Sequence, residues 1–180
     1  SRKIGYATSP DGLAWTRQGS NPVLTPGITD SWDSQQVSFP SVLKEGATYK
    51  MWYSGLNDFN NVQIGYATSV DGINWTKYAS NPVLTAGIGN SWDLDYVGSP
   101  TVIKVGSQYQ MWYRGGSGGG IGYATSPDGI TWTKFANNPV LSNGSGNWDQ
   151  TAYHPKVIFD GSLYHLWYSG CNQANDLCQV

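Results

Sequence analysis

Ile64-Gly65-Tyr66-Ala67-Thr68-Ser69-Val70-Asp71-Gly72-Ile73-Asn74-Trp75 decides the fold, because the chain carries this phrase three times. Ile-Gly-Tyr-Ala-Thr-Ser begins at residues 4, 64 and 121. Each copy runs into a turn (Ser9-Pro10-Asp11-Gly12, Ser69-Val70-Asp71-Gly72, Ser126-Pro127-Asp128-Gly129) and then a tryptophan, Trp15, Trp75 or Trp132. Asn-Pro-Val-Leu follows at 21, 81 and 138, then Trp32-Asp33, Trp92-Asp93 and Trp148-Asp149. A Pro-x-Val-Leu/Ile run comes next, after Phe39, Ser99 or His154. The repeat closes on Met51-Trp52-Tyr53-Ser54-Gly55, Met111-Trp112-Tyr113-Arg114-Gly115 and Leu166-Trp167-Tyr168-Ser169-Gly170. All nine tryptophans fall on three repeat positions, so their first duty is structural. Recurrence at a fixed period is the mark of a repeat architecture.

Each repeat holds four short runs rich in β-branched and aromatic residues: A (Pro-x-Val), B (Met-Trp-Tyr), C (Ile-Gly-Tyr-Ala-Thr) and D (Trp-Thr onward). A and B meet at turns such as Lys44-Glu45-Gly46, and C and D at the Asp-Gly turn, a strong hairpin signal. Four antiparallel strands in about 58 residues make one propeller blade; the alternative, a β-solenoid, is built from shorter rungs. The fold class is therefore all-β, a β-propeller with three blade equivalents in a single domain spanning 1–180. A half-blade of C and D occupies 1–25, whole blades occupy 37–85 and 97–141, and a half-blade of A, B and a tail occupies 153–180. Val180 stands where Ile64 stands in its own repeat, so the two halves are complementary. Propellers typically have four to eight blades, and an open array leaves strand edges that invite pairing. The expectation is a six-bladed ring formed by a homodimer with cyclic symmetry. The alternative is a fragment of a five-bladed propeller.

Composition agrees. The 180 residues include 23 Gly and 9 Pro, and charged residues are 12%, about half the usual ~25%. That excludes a coiled coil, while 14% aromatic content argues against disorder. No run of 18 apolar residues predicts a membrane span. A net charge of −2 without a basic cluster gives no footprint for nucleic acid.

The blade phrases, Pro-x-Val-Ile, Tyr-x-Met-Trp-Tyr-Ser-Gly, Ile-Gly-Tyr-Ala-Thr-Ser-x-Asp-Gly-x-x-Trp and Asn-Pro-Val-Leu, resemble β-propeller glycoside hydrolases. The type is that of arabinanases, β-xylosidases and arabinofuranosidases, with invertase-like and mannoside-phosphorylase relatives. The Ser-x-Asp-Gly-x-x-Trp element also looks like the hairpin box of sialidase propellers, one residue shorter. The resemblance spans all three repeats and implies a carbohydrate-facing funnel whose carboxylates cut or transfer glycosidic bonds. It also implies an Asp directly before the strand-A Pro and a Glu from another blade as acid.

This chain departs from both. Phe39, Ser99 and His154 precede the strand-A prolines, and the one Glu, Glu45, lies in an A–B turn on the face away from the mouth. Asp11, Asp71 and Asp128 belong to hairpin turns, where Asp bonds nearby backbone N–H groups. Asp33, Asp93 and Asp149 recur with their tryptophans and read as structural, and Asp160 is another A–B turn residue. Asp30, Asp58, Asp95 and Asp176 remain on the mouth face. Asp95, which breaks the repeat just ahead of strand A, is the candidate catalytic or sugar-contacting carboxylate, its alternative being a solvated loop residue. Aromatic platforms and planar polar groups bind sugars in concave pockets. His154, Arg114, Tyr96, Tyr153, Gln36 and Phe39 are the candidate substrate-binding residues, with Gln35, Asn57 and Asn60 of suitable type nearby. Arg114 replaces the serine of Tyr-Ser-Gly and suits an acidic sugar or a pairing with Asp95; otherwise it is an ordinary surface arginine.

No cluster has metal-ligand spacing, so neither a metal nor another cofactor is expected. Cys171 and Cys178 could staple the tail, which favours an oxidising, extracytoplasmic setting; free thiols are the alternative. Expected partners are a carbohydrate and a second copy of the chain, with no nucleic acid and no membrane. The functional expectation is a glycosidase-like, carbohydrate-interacting propeller. Its alternatives are a lectin-like binding propeller without turnover and a scaffold repeat protein.

Overall fold

A computed structural model describes residues 1–116, 119–145 and 148–172, together with the backbone of 177–179. Asp176, Val180 and part of the glycine-rich 115–120 connector lie outside the described residues. The chain forms four antiparallel sheets in sequence order. The first pairs β1 (Ala7–Thr8) with β2 (Thr16–Arg17). The second is β3 (Gln36–Glu45), β4 (Thr48–Leu56), β5 (Val62–Ser69) and β6 (Thr76–Lys77). The third repeats it with β7 (Val97–Val105), β8 (Gln108–Gly115), β9 (Ile121–Ser126) and β10 (Thr133–Lys134). The fourth holds β11 (Thr151–Phe159), β12 (Tyr164–Asn172) and β13 (Leu177–Gln179). No described helix is long and apolar enough to cross a membrane.

The sheets stack like sectors about a hub, and the core lies between them. One cluster packs Trp52, Ile64 and Tyr66 of the second sheet against Val102, Tyr109 and Met111 of the third. A second joins Ile4 and Leu24 to Met51 and Ala67, and a third joins Trp112 and Ile121 to Ala152 and Val157. The strand-B tryptophan is the wedge. Trp52 is fully buried, its ring centroid 5.4 Å from Tyr66 in its own sheet and 5.7 Å and 6.2 Å from Tyr109 and Trp132 in the next. Its Nε1 donates to the Gly129 carbonyl at 2.7 Å.

The repeated polar residues hold each blade in shape. Asn21, Asn81 and Asn138 each accept from and donate to the backbone of Tyr6, Tyr66 and Tyr123, extending the C strands where strand D has ended. Asp33 is buried, accepting from Gly27 N, from Tyr53 Oη at 3.2 Å and from Lys77 Nζ at 2.6 Å. Asp93 takes the same part with Ser91 and Lys134, and Asp149 accepts from Tyr168 Oη. The neighbouring Trp32 and Trp92 explain the glycine of Ile-Gly-Tyr. A Cβ on Gly65 would lie 2.5 Å from Trp32, and one on Gly122 would lie 2.7 Å from Trp92.

Each innermost strand is bulged just ahead of its proline. Phe39, Ser99 and His154 have φ of 51°, 51° and 54°, and register shifts fall there in β3, β7 and β11. A non-glycine residue rarely adopts positive φ, and a bulge re-aims the side chain it carries. Here it turns one residue per sheet toward the hub.

Replacing Trp52 with alanine should destabilise the chain by about 3–5 kcal/mol, the cost of emptying a large aromatic site in a core. A urea titration followed by circular dichroism would show it as a lower midpoint with an unchanged slope.

Candidate functional site

Two adjoining clefts open where the innermost strands converge. One, of about 320 Å³, is lined by Asn60, Asp95, Tyr96, Arg114, Asn143 and Thr151 among others. The second, of about 310 Å³, is lined by Arg2, Gln36, Phe39, Tyr96, Arg114 and His154, with Ser38 and Ser54. Each volume is at the low end of small-ligand sites. Arg114 and Tyr96 line both, so they form the partition between the two clefts.

Arg114 sits near the end of β8, and its guanidinium lies over the Tyr96 ring at 4.6 Å and the Tyr153 ring at 5.5 Å. Two ring contacts restrain the half-buried group, and partial desolvation strengthens its cation–π contacts. Its Nε is buried and has no hydrogen-bond partner among the described residues; Ser99 Oγ at the hub is in the same condition. Buried polar atoms are normally satisfied. An unsatisfied guanidinium N–H beside a cleft is therefore open to a planar acceptor. The pairing of Arg114 with Asp95 is not formed: among the described residues Arg114 has no ion pair.

His154 is held by its ring neighbours, Phe39 at 4.6 Å and Tyr153 at 4.8 Å. Burial pushes its pKa below the ordinary 6.5, and the charges of Arg114, Lys156 and Arg2 push the same way. The imidazole is thus neutral near pH 7. Asp95 is exposed, on a positive φ of 62°, and is the one carboxylate lining either cleft among the described residues. Gln36 opens β3 at the rim of the second cleft. All seven residues singled out from sequence therefore meet: six line the clefts, and Tyr153 packs against Arg114 and His154.

The other carboxylates are engaged elsewhere. Asp11 and Asp128 accept backbone N–H groups inside their hairpins, Asp11 from Leu13 and Ala14 and Asp128 from Ile130 and Thr131. At Asp128 burial disfavours the charge, but the hydrogen bonds together outweigh it, and both carboxyls are held at about 2. Asp71 is lowered in the same way. Burial disfavours the charge on Glu45, but hydrogen bonds from Lys50, Tyr109 and Lys104 outweigh it and hold the carboxyl at about 2. Asp58 accepts from Ser34 at 2.9 Å and from Gln35. Glycosidic cleavage needs one protonated and one ionised carboxyl about the same bond, and Asp95 has no such companion among the described cleft residues. Among the described residues no group of three or more His, Cys, Asp or Glu could hold a metal. Cys171 is disulfide-bonded, opposite Cys178 in the β12–β13 backbone register.

Arg2 escaped the sequence reading. It lies 5.6 Å over the Phe39 ring and lines the second cleft. Its signal was the one that exposed Arg114: a charged residue where the repeat elsewhere has none, since Val62 stands at the corresponding place in the next copy.

No protein-family model matches the chain. An uncharacterized protein of Mycobacterium tuberculosis is 31% identical over 162 residues, covering 83% of this chain and 52% of that protein. The β-1,2-mannobiose phosphorylase of a Thermoanaerobacter species is 29% identical over 147 residues, covering 74% of this chain and 44% of the enzyme. The chain thus spans about half the length of the curated relatives it matches. Among solved structures, a GH130 glycoside hydrolase that targets β-1,2-mannosidic linkages in Candida mannan superposes with a TM-score of 0.75. It is 23% identical, over 97% of this chain and 53% of that one. The Bombyx mori GH32 β-fructofuranosidase superposes with a TM-score of 0.67 at 19% identity, over 92% of this chain and 34% of that one. The fold is that of β-propeller glycoside hydrolases, and the invertase-type likeness read from the blade phrases holds.

His154 gives a pH test. Its folded pKa is lowered, so the unfolded chain takes up the proton first as pH falls through 6.5, and stability drops until the folded imidazole protonates as well. The urea midpoint should fall between about pH 7 and pH 5, before the carboxylates titrate. In His154→Gln that component of the fall should be absent.

Proposed function

We propose that the two clefts bind carbohydrate, and that Arg114 anchors a carboxylate carried by the sugar. The observation that carries this reading is the Arg114 guanidinium against Tyr96 and Tyr153 in the wall of both clefts, its buried Nε without a hydrogen-bond partner among the described residues. Arginine presents a rigid fork that matches a carboxylate, and the tyrosines beside it offer faces for apolar sugar surfaces. Arg2 adds positive charge to the same mouth. The carbohydrate-active neighbours support a sugar ligand. Among the described residues Asp95 is the one carboxylate lining the clefts, and glycosidic hydrolysis needs a second acid beside it.

A second reading concerns completion of the mouth. We propose that a second copy of the chain closes the ring, so that every hub residue occurs twice. A second Asp95 would then face the same funnel and supply a companion to the first. Light scattering on the 180-residue chain should give twice 19.6 kDa; a mass of 19.6 kDa at every concentration would remove the ring.

A glycan array and calorimetry should show uronate-bearing oligosaccharides bound in preference to neutral ones. Arg114→Ser should weaken that binding by roughly 10- to 100-fold, the worth of a hydrogen bond to a charged partner, and leave the urea midpoint nearly unchanged. Acidic ligands should also bind more tightly as pH falls toward the folded pKa of His154, where the imidazole joins Arg114, Lys156 and Arg2 as a cation. Preference for neutral sugars, or equal affinity in Arg114→Ser, would contradict the anchor. Turnover of chromogenic glycosides lost in Asp95→Asn would instead favour an enzyme.

A further inference from the structure

One position of strand B carries Ser54, Arg114 and Ser169 in the three copies, and the work of the serine shows what the arginine undoes. Ser54 pairs with Ser38 of β3, the last paired residue before the bulge, and Arg114 pairs with Gly98 of β7 in the same place. From there Ser54 reaches the next sheet, where its Oγ accepts from the backbone N–H of Ser99 at 2.8 Å. Ser99 is the hub residue of that sheet, on its φ of 51° at the bulge. A bulge leaves its extra residue outside the ladder, so this N–H takes its acceptor from elsewhere. The serine hydroxyl supplies it.

One blade on, the same two positions hold Arg114 and His154. His154 stands on the same backbone, with φ of 54° at the register shift of β11. The inner strands also meet alike at both junctions, because one repeat position stitches each of them. Ser41 Oγ accepts from Val102 N between β3 and β7, and its counterpart Thr101 donates to the Pro155 carbonyl between β7 and β11. An arginine, however, has donors and no acceptor. It cannot give the His154 N–H what Ser54 gives that of Ser99, and no side chain among the described residues accepts from this N–H instead. Arg114 and His154 both line the second cleft. Replacing serine with arginine therefore brings a guanidinium to the cleft and releases a backbone donor beside it.

Resting on the reading of Arg114 as a carboxylate anchor, we infer that the backbone N–H of His154 is the second donor of that anion site. One oxygen of the bound uronate carboxylate takes the place that the Ser54 hydroxyl holds one blade earlier, and the other meets the guanidinium. Hydrogen bonds to an ionised acceptor are shorter and stronger than neutral ones, so the charged ligand gains from both donors. A neutral sugar hydroxyl satisfies the N–H as a serine does, but leaves the guanidinium without its counter-charge.

The test follows backbone amides by NMR and hydrogen exchange, with sodium glucuronate as the probe and glucose as the neutral control. Arg114→Ser restores the hydroxyl and should slow exchange of the His154 amide by roughly tenfold, the worth of one hydrogen bond. Arg114→Ala removes the guanidinium without supplying an acceptor and should not slow it. In the wild-type chain glucuronate should shift the His154 amide resonance and slow its exchange, while the Ser99 amide stays as it was and glucose has neither effect. A His154 amide that exchanges as slowly in the free wild-type chain as in Arg114→Ser overturns the second donor, whatever the ligand does. Glucuronate binding that depends on Arg114 but leaves the His154 amide unmoved overturns it as well, with the arginine anchor still standing. No binding of glucuronate removes the anchor and the second donor together.

Discussion

An indole ring driven between one sheet and the next is the contact on which the rest of this molecule depends. Four short strands cannot bury two faces by themselves, and the outermost strands here are two residues long. Stability has to come from stacking blade on blade. Trp52 shows how: its ring touches its own strand C, the next strand B and the next hairpin, and its N–H satisfies a glycine carbonyl in that hairpin. A flat ring wedged between two twisted sheets sets their spacing, and its position on strand B directs the curvature. The hub is a consequence of that repeated wedge.

Chemistry is confined to the places where the repeat is broken. Scaffold positions carry the same residue in each copy and spend their polar groups internally, as the hairpin aspartates and the Asp33–Lys77 and Asp93–Lys134 pairs do. At the hub the copies diverge into Phe39, Ser99 and His154, presented on the same strained backbone. Such backbone strain is tolerated where structure around it over-determines the conformation, and it often coincides with functional sites. Arg2 and Arg114 depart from the repeat beside these residues. Scaffold and site thus use separate residues, which is why one blade design serves many activities.

Much of this was legible in the sequence for a simple reason: three imperfect copies act as their own alignment. Strand order, hairpin turns and the structural role of Asp33 and Asp93 followed from recurrence, and Asp95 and Arg114 followed from its failure. What stayed hidden depends on distance across the chain. The contacts of Arg114 with the Tyr96 and Tyr153 rings join residues from two sheets, and Arg2 reaches Phe39 from a segment with no pattern of its own. The Asn21, Asn81 and Asn138 bonds to a strand fifteen residues earlier were visible as a motif but not as a mechanism. No local rule predicts that an asparagine will finish a sheet.

A crystal structure of the chain soaked with glucuronic acid examines the central claim most directly. The account predicts the sugar carboxylate on the Arg114 guanidinium, within hydrogen-bonding distance of Nε, with the pyranose ring against Tyr96 or Tyr153. Sugar bound away from these clefts, or Arg114 turned to pair with Asp95 while the clefts stay empty, would contradict it.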